Sequence, residues 1–463
     1  MVFNSAIFVI FFLCLHLIYW YSNDSARRRS LLIGSMIFYG YWSPIFLLHF
    51  VGIVSLNYWV YYKYKGRYSK SLITSILILN FLNLIVFKYF YFFSNITFDL
   101  FSFDMAALLK NGLGIKTIVL PLAISFYTFQ ILAFQIDEYK GKVTEEVSFE
   151  NFLLFILFFP QLVAGPIMRH DHFLLQINKK RRFSELANNS GMILILLGVA
   201  KKVIIADNIS PVIDPLFQNP SEFNAMSSIL AIYGFAIQIY CDFAGYTDIA
   251  RGLSLLLGIN IPANFRAPYL ASSFSDFWRR WHITLSTWLR DYLYIPLGGN
   301  RVGNVKTYVN LMLTMVLGGL WHGANYTFLI WGGLHGLYLI IERRFFSERI
   351  QKLSLIPKIL YSVFVFHLVC FAWIFFRSDS VAKAIAIIRN LFSTGGAELP
   401  GIHSLTNFFV LAILLHVYEY LPHFRKALKF KKRKVLIPAL GMLVAVVAVT
   451  LSSKSVPFIY FQF

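Results

Sequence analysis

Apolar stretches long enough to cross a bilayer, or nearly so, recur from one end of this 463-residue chain to the other. A helix rises about 1.5 Å per residue, so about 20 apolar residues cross the hydrocarbon core. Such runs are read at 5–21, 31–46, 47–62, 71–94, 117–136, 150–165, 189–206, 227–246, 307–320, 325–341, 358–376, 404–421 and 435–453. The expected fold class is all-α: a polytopic integral membrane protein with roughly 11 to 13 membrane segments, some of them re-entrant. With 58% hydrophobic and only 14% charged residues, too few charges remain to coat a soluble surface. A cytosolic enzyme, a disordered chain and a secreted disulfide scaffold are excluded. Cys14, Cys241 and Cys370 lie singly in apolar runs and offer neither a disulfide framework nor a zinc signature. The first run, Phe8 to Tyr19, has no basic n-region and no A-x-A-like cleavage site, so it is read as a retained span.

The charge balance is lopsided, 42 Lys+Arg against 22 Asp+Glu, for a net +20. The excess sits in short loops between apolar runs, which points to the cytoplasmic face and anionic lipid heads, not to nucleic acid. Arg27-Arg28-Arg29, the Lys63/Lys65/Arg67/Lys70 loop, Lys179-Lys180-Arg181-Arg182, Arg343-Arg344 and Lys431-Lys432-Arg433-Lys434 are assigned to the cytoplasm. Residues 95–109 and 203–226 contain acidic residues in loops read as outside, and the count places the N-terminus outside too.

Two segments break the alternation. The run 150–165 lies between two stretches that both look cytoplasmic, and it ends in Gln161-Leu162-Val163-Ala164-Gly165-Pro166; it is read as re-entrant. Segment 307–341 also leaves from and returns to basic loops, turning at Leu320-Trp321-His322-Gly323. Its first arm, 307–320, would be about 21 Å long as a helix, shorter than a hydrocarbon core of ~30 Å. His322 is therefore expected at membrane depth. There an ionisable side chain is a functional hypothesis by default. The plainer alternative is a structural histidine bonded to a carbonyl at the hairpin turn.

Most other histidines have a plain reading. His16, His49, His367 and His416 lie singly in apolar spans as packed imidazoles, and His403 and His423 sit at span ends. His170 and His172 flank Asp171, a weak pattern for a metal without further ligands. No H-E-x-x-H, G-x-S-x-G or Walker loop is present, so no metal or bound cofactor is expected. No internal repeat is apparent, which weighs against an inverted-repeat transporter.

The stretch from Asp276 to Asp291 reads as one amphipathic interfacial helix with Trp278, Trp281, Leu285, Trp288 and Leu289 on one face. His282 falls at the edge of that face beside Ser286, at the cytoplasmic rim of the membrane. Anchoring does not need a histidine there. Two histidines on separate elements suit acyl transfer: a hydroxyl attacking a thioester loses a proton, and a neutral imidazole is the usual base. Excluding water matters because hydrolysis competes.

These residues resemble a known family, the membrane-bound O-acyltransferases, in their bacterial alginate O-acetyltransferase-like branch. The likeness runs through Met1-Val2-Phe3-Asn4-Ser5, Ser125-Phe126-Tyr127-Thr128-Phe129-Gln130, Ala164-Gly165-Pro166-Ile167-Met168-Arg169 and Tyr240-Cys241-Asp242-Phe243-Ala244-Gly245-Tyr246-Thr247-Asp248. It continues through Phe277-Trp278-Arg279-Arg280-Trp281-His282, Pro296-Leu297-Gly298-Gly299-Asn300-Arg301, Leu320-Trp321-His322-Gly323-Ala324 and Pro457-Phe458-Ile459-Tyr460-Phe461. The resemblance implies a multi-span fold around a central tunnel over the single domain 1–463, with N-terminal spans 1–136, a catalytic core 137–341 and C-terminal spans 342–463. It implies His322 as the catalytic residue and His282 at the second signature position. Trp321, Asp242, Tyr246, Arg279, Arg280, Ser286 and Asn300 are carried as residues of the substrate or donor tunnel.

By the same resemblance the substrate is an acyl thioester, acetyl-CoA or an acyl carrier protein, on the cytoplasmic side of a bacterial inner membrane. Extracytoplasmic SGNH esterase-like acetyltransferase partners and a polysaccharide assembly complex would then O-acetylate an exopolysaccharide such as alginate. Arg266, Arg279, Arg280 and Arg290 are expected to attract the acidic donor. The rival within the family is a D-alanyl transferase acting on teichoic acid. A transporter or channel is the rival outside it, and would need intramembrane carboxylates, whereas Asp137, Asp242, Asp248 and Glu342 are read at or near span ends.

Overall fold

The computed structural model describes residues 1–421 apart from 2, 4, 113–116, 181, 184–187, 347–349 and 351–352. The run 435–453, Lys431-Lys432-Arg433-Lys434, His423 and the Pro457–Phe461 motif lie outside the described residues. The architecture is helical, as the apolar runs imply; the only strand-like pairing among the described residues is an isolated bridge between Phe223 and Ala397. The chain forms two compact units, one of Met1 with Ile10–Phe183, the other of Val2–Val9 with Ser184–Phe463.

In the first unit lie most of α1 (Ala6–Tyr21), then α2 (Asp24–Gly40), α3 (Pro44–Tyr64), α4 (Lys70–Leu84), α5 (Phe90–Phe101), α6 (Met105–Gly112), α7 (Ile124–Tyr139), α8 (Phe149–Leu157), α9 (Phe159–Leu162) and α10 (His170–Ile177). Three amide side chains inside it pair with one another. Asn57 and Asn80 exchange amide hydrogen bonds at 3.1 and 2.9 Å, and Gln135 donates to the Asn57 carbonyl at 2.9 Å. The run 150–165 is not one helix but α8 and α9, broken at Phe158 and buried from Phe152 onward. Nine residues of α8 reach only ~13 Å, too short to cross. At the break the Phe159 amide donates to the Ser35 hydroxyl at 3.2 Å, so the interrupted backbone keeps a partner away from water.

The second unit holds α11 (Asn188–Val199), α12 (Asp207–Gln218), α13 (Ala225–Leu256), α14 (Phe274–Arg280), α15 (Ile283–Leu289), α16 (Asn304–His322), α17 (Tyr326–Ile341), α18 (Leu355–Arg377), α19 (Val381–Asn390) and α20 (Leu405–Tyr420). Much of 203–226, expected as an external loop, is helix. A π-helical turn over Ala200–Ala206 joins α11 to α12, which accommodates Pro211 and Pro215. Small residues let α11 and α13 touch backbone to backbone: a Cβ on Gly198 would sit 2.5 Å from the Gly245 carbonyl oxygen. Across that seam Lys201 and Lys202, both buried, meet the carboxylates of Asp248 at 2.6 Å and Asp242 at 2.7 Å. These two carboxylates lie inside the 32-residue α13, not near span ends as the apolar runs suggested, because the helix continues ten residues past the run at 227–246.

Among the described residues, five helical stretches are long and apolar enough to cross a membrane: Pro44–Tyr64, Lys70–Phe101, Ala225–Leu256, Leu355–Arg377 and Ile402–Tyr420. Other apolar runs give shorter elements; 117–136, for instance, is helical only from Ile124, after Pro121. The hairpin arm read as 307–320 extends over the 19 residues of α16, about 28 Å, because Asn304–Lys306 and Trp321–His322 also take helical form. Arm length alone therefore does not put His322 at mid-membrane depth. Its surroundings decide its environment. Glycines seat the hairpin, since a Cβ on Gly319 would collide with the Phe328 carbonyl and one on Gly332 with that of Met315.

Candidate active site

The expected single helix from Asp276 to Asp291 is two helices. α14 ends at Arg280, α15 begins at Ile283, and His282 between them has φ +41°, a left-handed conformation rare for a residue with a Cβ. The cause is Asn264, on the segment before α14. Its main-chain oxygen accepts from the Ile283 amide at 2.9 Å, and its Oδ1 accepts from the Thr284 amide at 3.1 Å and the Thr284 hydroxyl at 3.0 Å. These bonds replace the helix continuation that would otherwise satisfy the first amides of α15. α14 is held at its other end by Glu342, whose carboxylate accepts from the Phe274 amide at 2.6 Å and the Ser275 amide at 3.0 Å.

The break turns His282 inward. It is fully buried, not at an interfacial rim as a continuous helix would have it. Asn264 also sets its tautomer. Because the Thr284 amide must donate to Oδ1, that atom is an acceptor, so His282 Nδ1, 3.2 Å away, carries the hydrogen. The lone pair is left on Nε2, which has no hydrogen-bond partner among the described residues. That is the protonation pattern of a base.

His322 closes α16 and is 4% exposed. Its ring lies 6.2 Å from that of His282, 5.0 Å from Trp321, 5.2 Å from Trp331 and 5.3 Å from Phe376. Trp321 also touches His282, at 5.8 Å. A centroid separation of 6.2 Å holds the nearest nitrogens no closer than about 4 Å, beyond a direct hydrogen bond. Two imidazoles at this spacing can address opposite sides of one reacting group, in a low-dielectric wall of aromatic rings.

The remaining sequence-derived residues are dispersed. Asp242 is bound by Lys202, and Tyr246 stacks on Phe3 at 4.5 Å. Ser286 donates its hydroxyl to the Trp281 carbonyl at 3.2 Å. Arg280 pairs with Asp276 at 2.9 Å and lies over the Tyr420 ring at 5.5 Å, whereas Arg279 and Asn300 are exposed. Sequence reasoning missed His335, Trp331 and Asn264. The first two lie four residues apart on one face of α17, each followed by a glycine, a pattern visible in Trp331-Gly332 and His335-Gly336. Asn264 carried no local signal.

The profile of MBOAT, the membrane-bound O-acyltransferase family, fits residues 138–378. The chain belongs to this family. It is 38% identical over 435 residues, 92% of its length and 82% of the relative's, to a probable alginate O-acetylase AlgI of Pseudomonas syringae. A peptidoglycan O-acetyltransferase of Helicobacter pylori is 34% identical over 86% of this chain and 81% of its own. A teichoic acid D-alanyltransferase of Bacillus subtilis is 31% identical over 55% of this chain and 68% of its own. As a member, the chain is an acyltransferase embedded in a membrane.

Asn264 gives a direct test of the tautomer argument. Asn264→Ala leaves His282 Nδ1 and the Thr284 amide without their acceptor, and turnover is expected to fall about tenfold. The check is a comparison of initial transfer rates at matched protein levels; an unchanged rate would refute the role of Asn264 in holding His282.

Proposed function

We propose that this enzyme takes an acyl group, acetyl in the first instance, from a cytoplasmic thioester and delivers it across the bacterial inner membrane for O-acetylation of an exopolysaccharide such as alginate. The observation that carries the proposal is the buried pair His282 and His322, 6.2 Å apart, with the lone pair of His282 uncommitted. His322 accepts the hydroxyl proton of the acyl acceptor as the C–O bond forms. The C–S bond of the thioester breaks, and the proton passes to the departing sulfur. His282 orients the reacting group from the other side. The exposed Arg279 and Arg290 attract the phosphates of the donor from the basic cytoplasmic face.

Acetylation is favoured over D-alanylation by the likeness itself: the acetylase relative matches 92% of this chain and the D-alanyltransferase 55%. Extracytoplasmic SGNH esterase-like partners would complete the transfer to polymer. The test is reconstitution in liposomes with labelled acetyl-CoA or acetyl-loaded carrier protein on the side of the basic loops. Label is expected on a polysaccharide hydroxyl, or on a partner protein, supplied at the opposite face. Release of label only on the donor's side would reject transfer across the membrane.

A further inference from the structure

The mechanism above does not use His335, which is as fully buried as His282. It lies on α17, is fully buried, and neither ring nitrogen has a hydrogen-bond partner among the described residues. Aromatic rings surround it: Phe277 stacked at 5.9 Å and 7°, Trp278 at 5.0 Å, Trp331 at 4.9 Å, Tyr338 at 5.8 Å and Trp373 at 6.4 Å. A buried polar group of this kind calls for a partner that the protein alone does not supply. A purely apolar packing role would be served better by phenylalanine, which has nothing to desolvate.

Position narrows the partner. Trp331 touches His322 at 5.2 Å and His335 at 4.9 Å, so the two imidazoles lie within about 10 Å of each other. Along α17 the order Trp331, His335, Tyr338, Glu342 leads from the level of His322 toward Arg343-Arg344, the basic end assigned to the cytoplasm. His335 therefore lies on the donor's side of the reacting centre. In an acyl pantetheine thioester, three bonds, roughly 4 Å when extended, separate the sulfur from the first amide nitrogen. Adding one hydrogen bond of about 3 Å gives about 7 Å, within the limit of about 10 Å set by the two rings' shared contact with Trp331.

We propose that His335 is a donor-binding residue that hydrogen-bonds the pantetheine amide nearest the thioester, and so selects pantetheine thioesters over simple alkyl ones. This rests on the thioester reading of the donor. Coenzyme A and carrier proteins share this arm, so the same contact serves either source. No bond forms or breaks at His335; it places the acyl carbon at His322.

The test uses the whole chain in detergent micelles and two unreactive acetonyl thioether analogues of acetyl-CoA, one with the natural cysteamine amide and one with that amide replaced by two methylenes. Binding is read from tryptophan fluorescence, and the same two arms are mounted on acyl carrier protein to tell the sources apart. The wild-type chain is expected to prefer the amide about tenfold from at least one source. His335→Phe, which keeps the aromatic stack, is expected to lose that preference, and His335→Gln, which keeps an amide donor and acceptor, to recover part of it. An equal preference in wild type and His335→Phe would overturn the role of His335 while leaving the thioester donor intact. If the wild type binds neither analogue from either source, the thioester reading falls, and this inference falls with it. A thermal melt separates these results from misfolding: a His335→Phe chain that melts early with its amide preference retained also counts against the proposal.

Discussion

His322→Ala is expected to abolish acyl transfer while the protein inserts and elutes as the wild type does. A positioned general base contributes roughly 10²–10⁴-fold to such a step, and no other group near His322 can substitute. His282 is closest and its Nε2 lone pair is free, but Asn264 fixes its ring 6.2 Å away across the site, where it faces the reacting group from the other side. The packing loss is small by comparison, since His322 is a single side chain against Trp321, Trp331 and Phe376. His322→Asn preserves more of the volume and is expected to be equally inactive. The measurement is label transferred per unit of membrane-inserted protein; transfer above a hundredth of the wild-type rate in either variant would remove His322 from the chemistry.

Lys201→Met is expected to cost stability instead of chemistry. The Lys201 ammonium is buried and bonds Asp248 at 2.6 Å and the Glu419 carboxylate, whose second oxygen accepts from the Tyr240 hydroxyl at 2.5 Å. Removing the cation leaves two carboxylates facing each other with little solvent, and Arg251, 3.3 Å from Asp248, answers only one of them. Breaking a buried pair in this way costs about 3–5 kcal/mol, which corresponds to a fall of roughly 5 °C in the melting temperature of a chain this long. Neutralising the cluster together, as Lys201→Met with Asp248→Asn and Glu419→Gln, is expected to recover most of the loss, because the penalty lies in the uncompensated charge. A single variant that melts with the wild type would show that the cluster is solvated.

Much of this was legible from residue order. Apolar runs gave the helical class, and the Trp321-His322-Gly323 turn drew attention to a histidine that the structure buries beside His282. Element ends were less legible. The apolar run at 227–246 stops ten residues short of the end of α13 because polar Asp248 and Arg251 stay helical once an ion-pair partner is packed against them. The stretch 276–291 has the periodicity of one amphipathic helix, and nothing within it announces the break at His282.

The order of residues by itself determined that this chain is a helical membrane protein of an acyltransferase family, because hydropathy and motif spacing are properties of near neighbours along a chain. Only the tertiary structure decided how His282 and His322 meet. The bond that turns His282 inward comes from Asn264, 18 residues away, and the charge that lets Lys201 stay buried comes in part from Glu419, 218 residues away. Periodicity reports which side chains share a helix face. It carries no information about which distant group will satisfy a buried amide or a buried charge, and those partners shape the site.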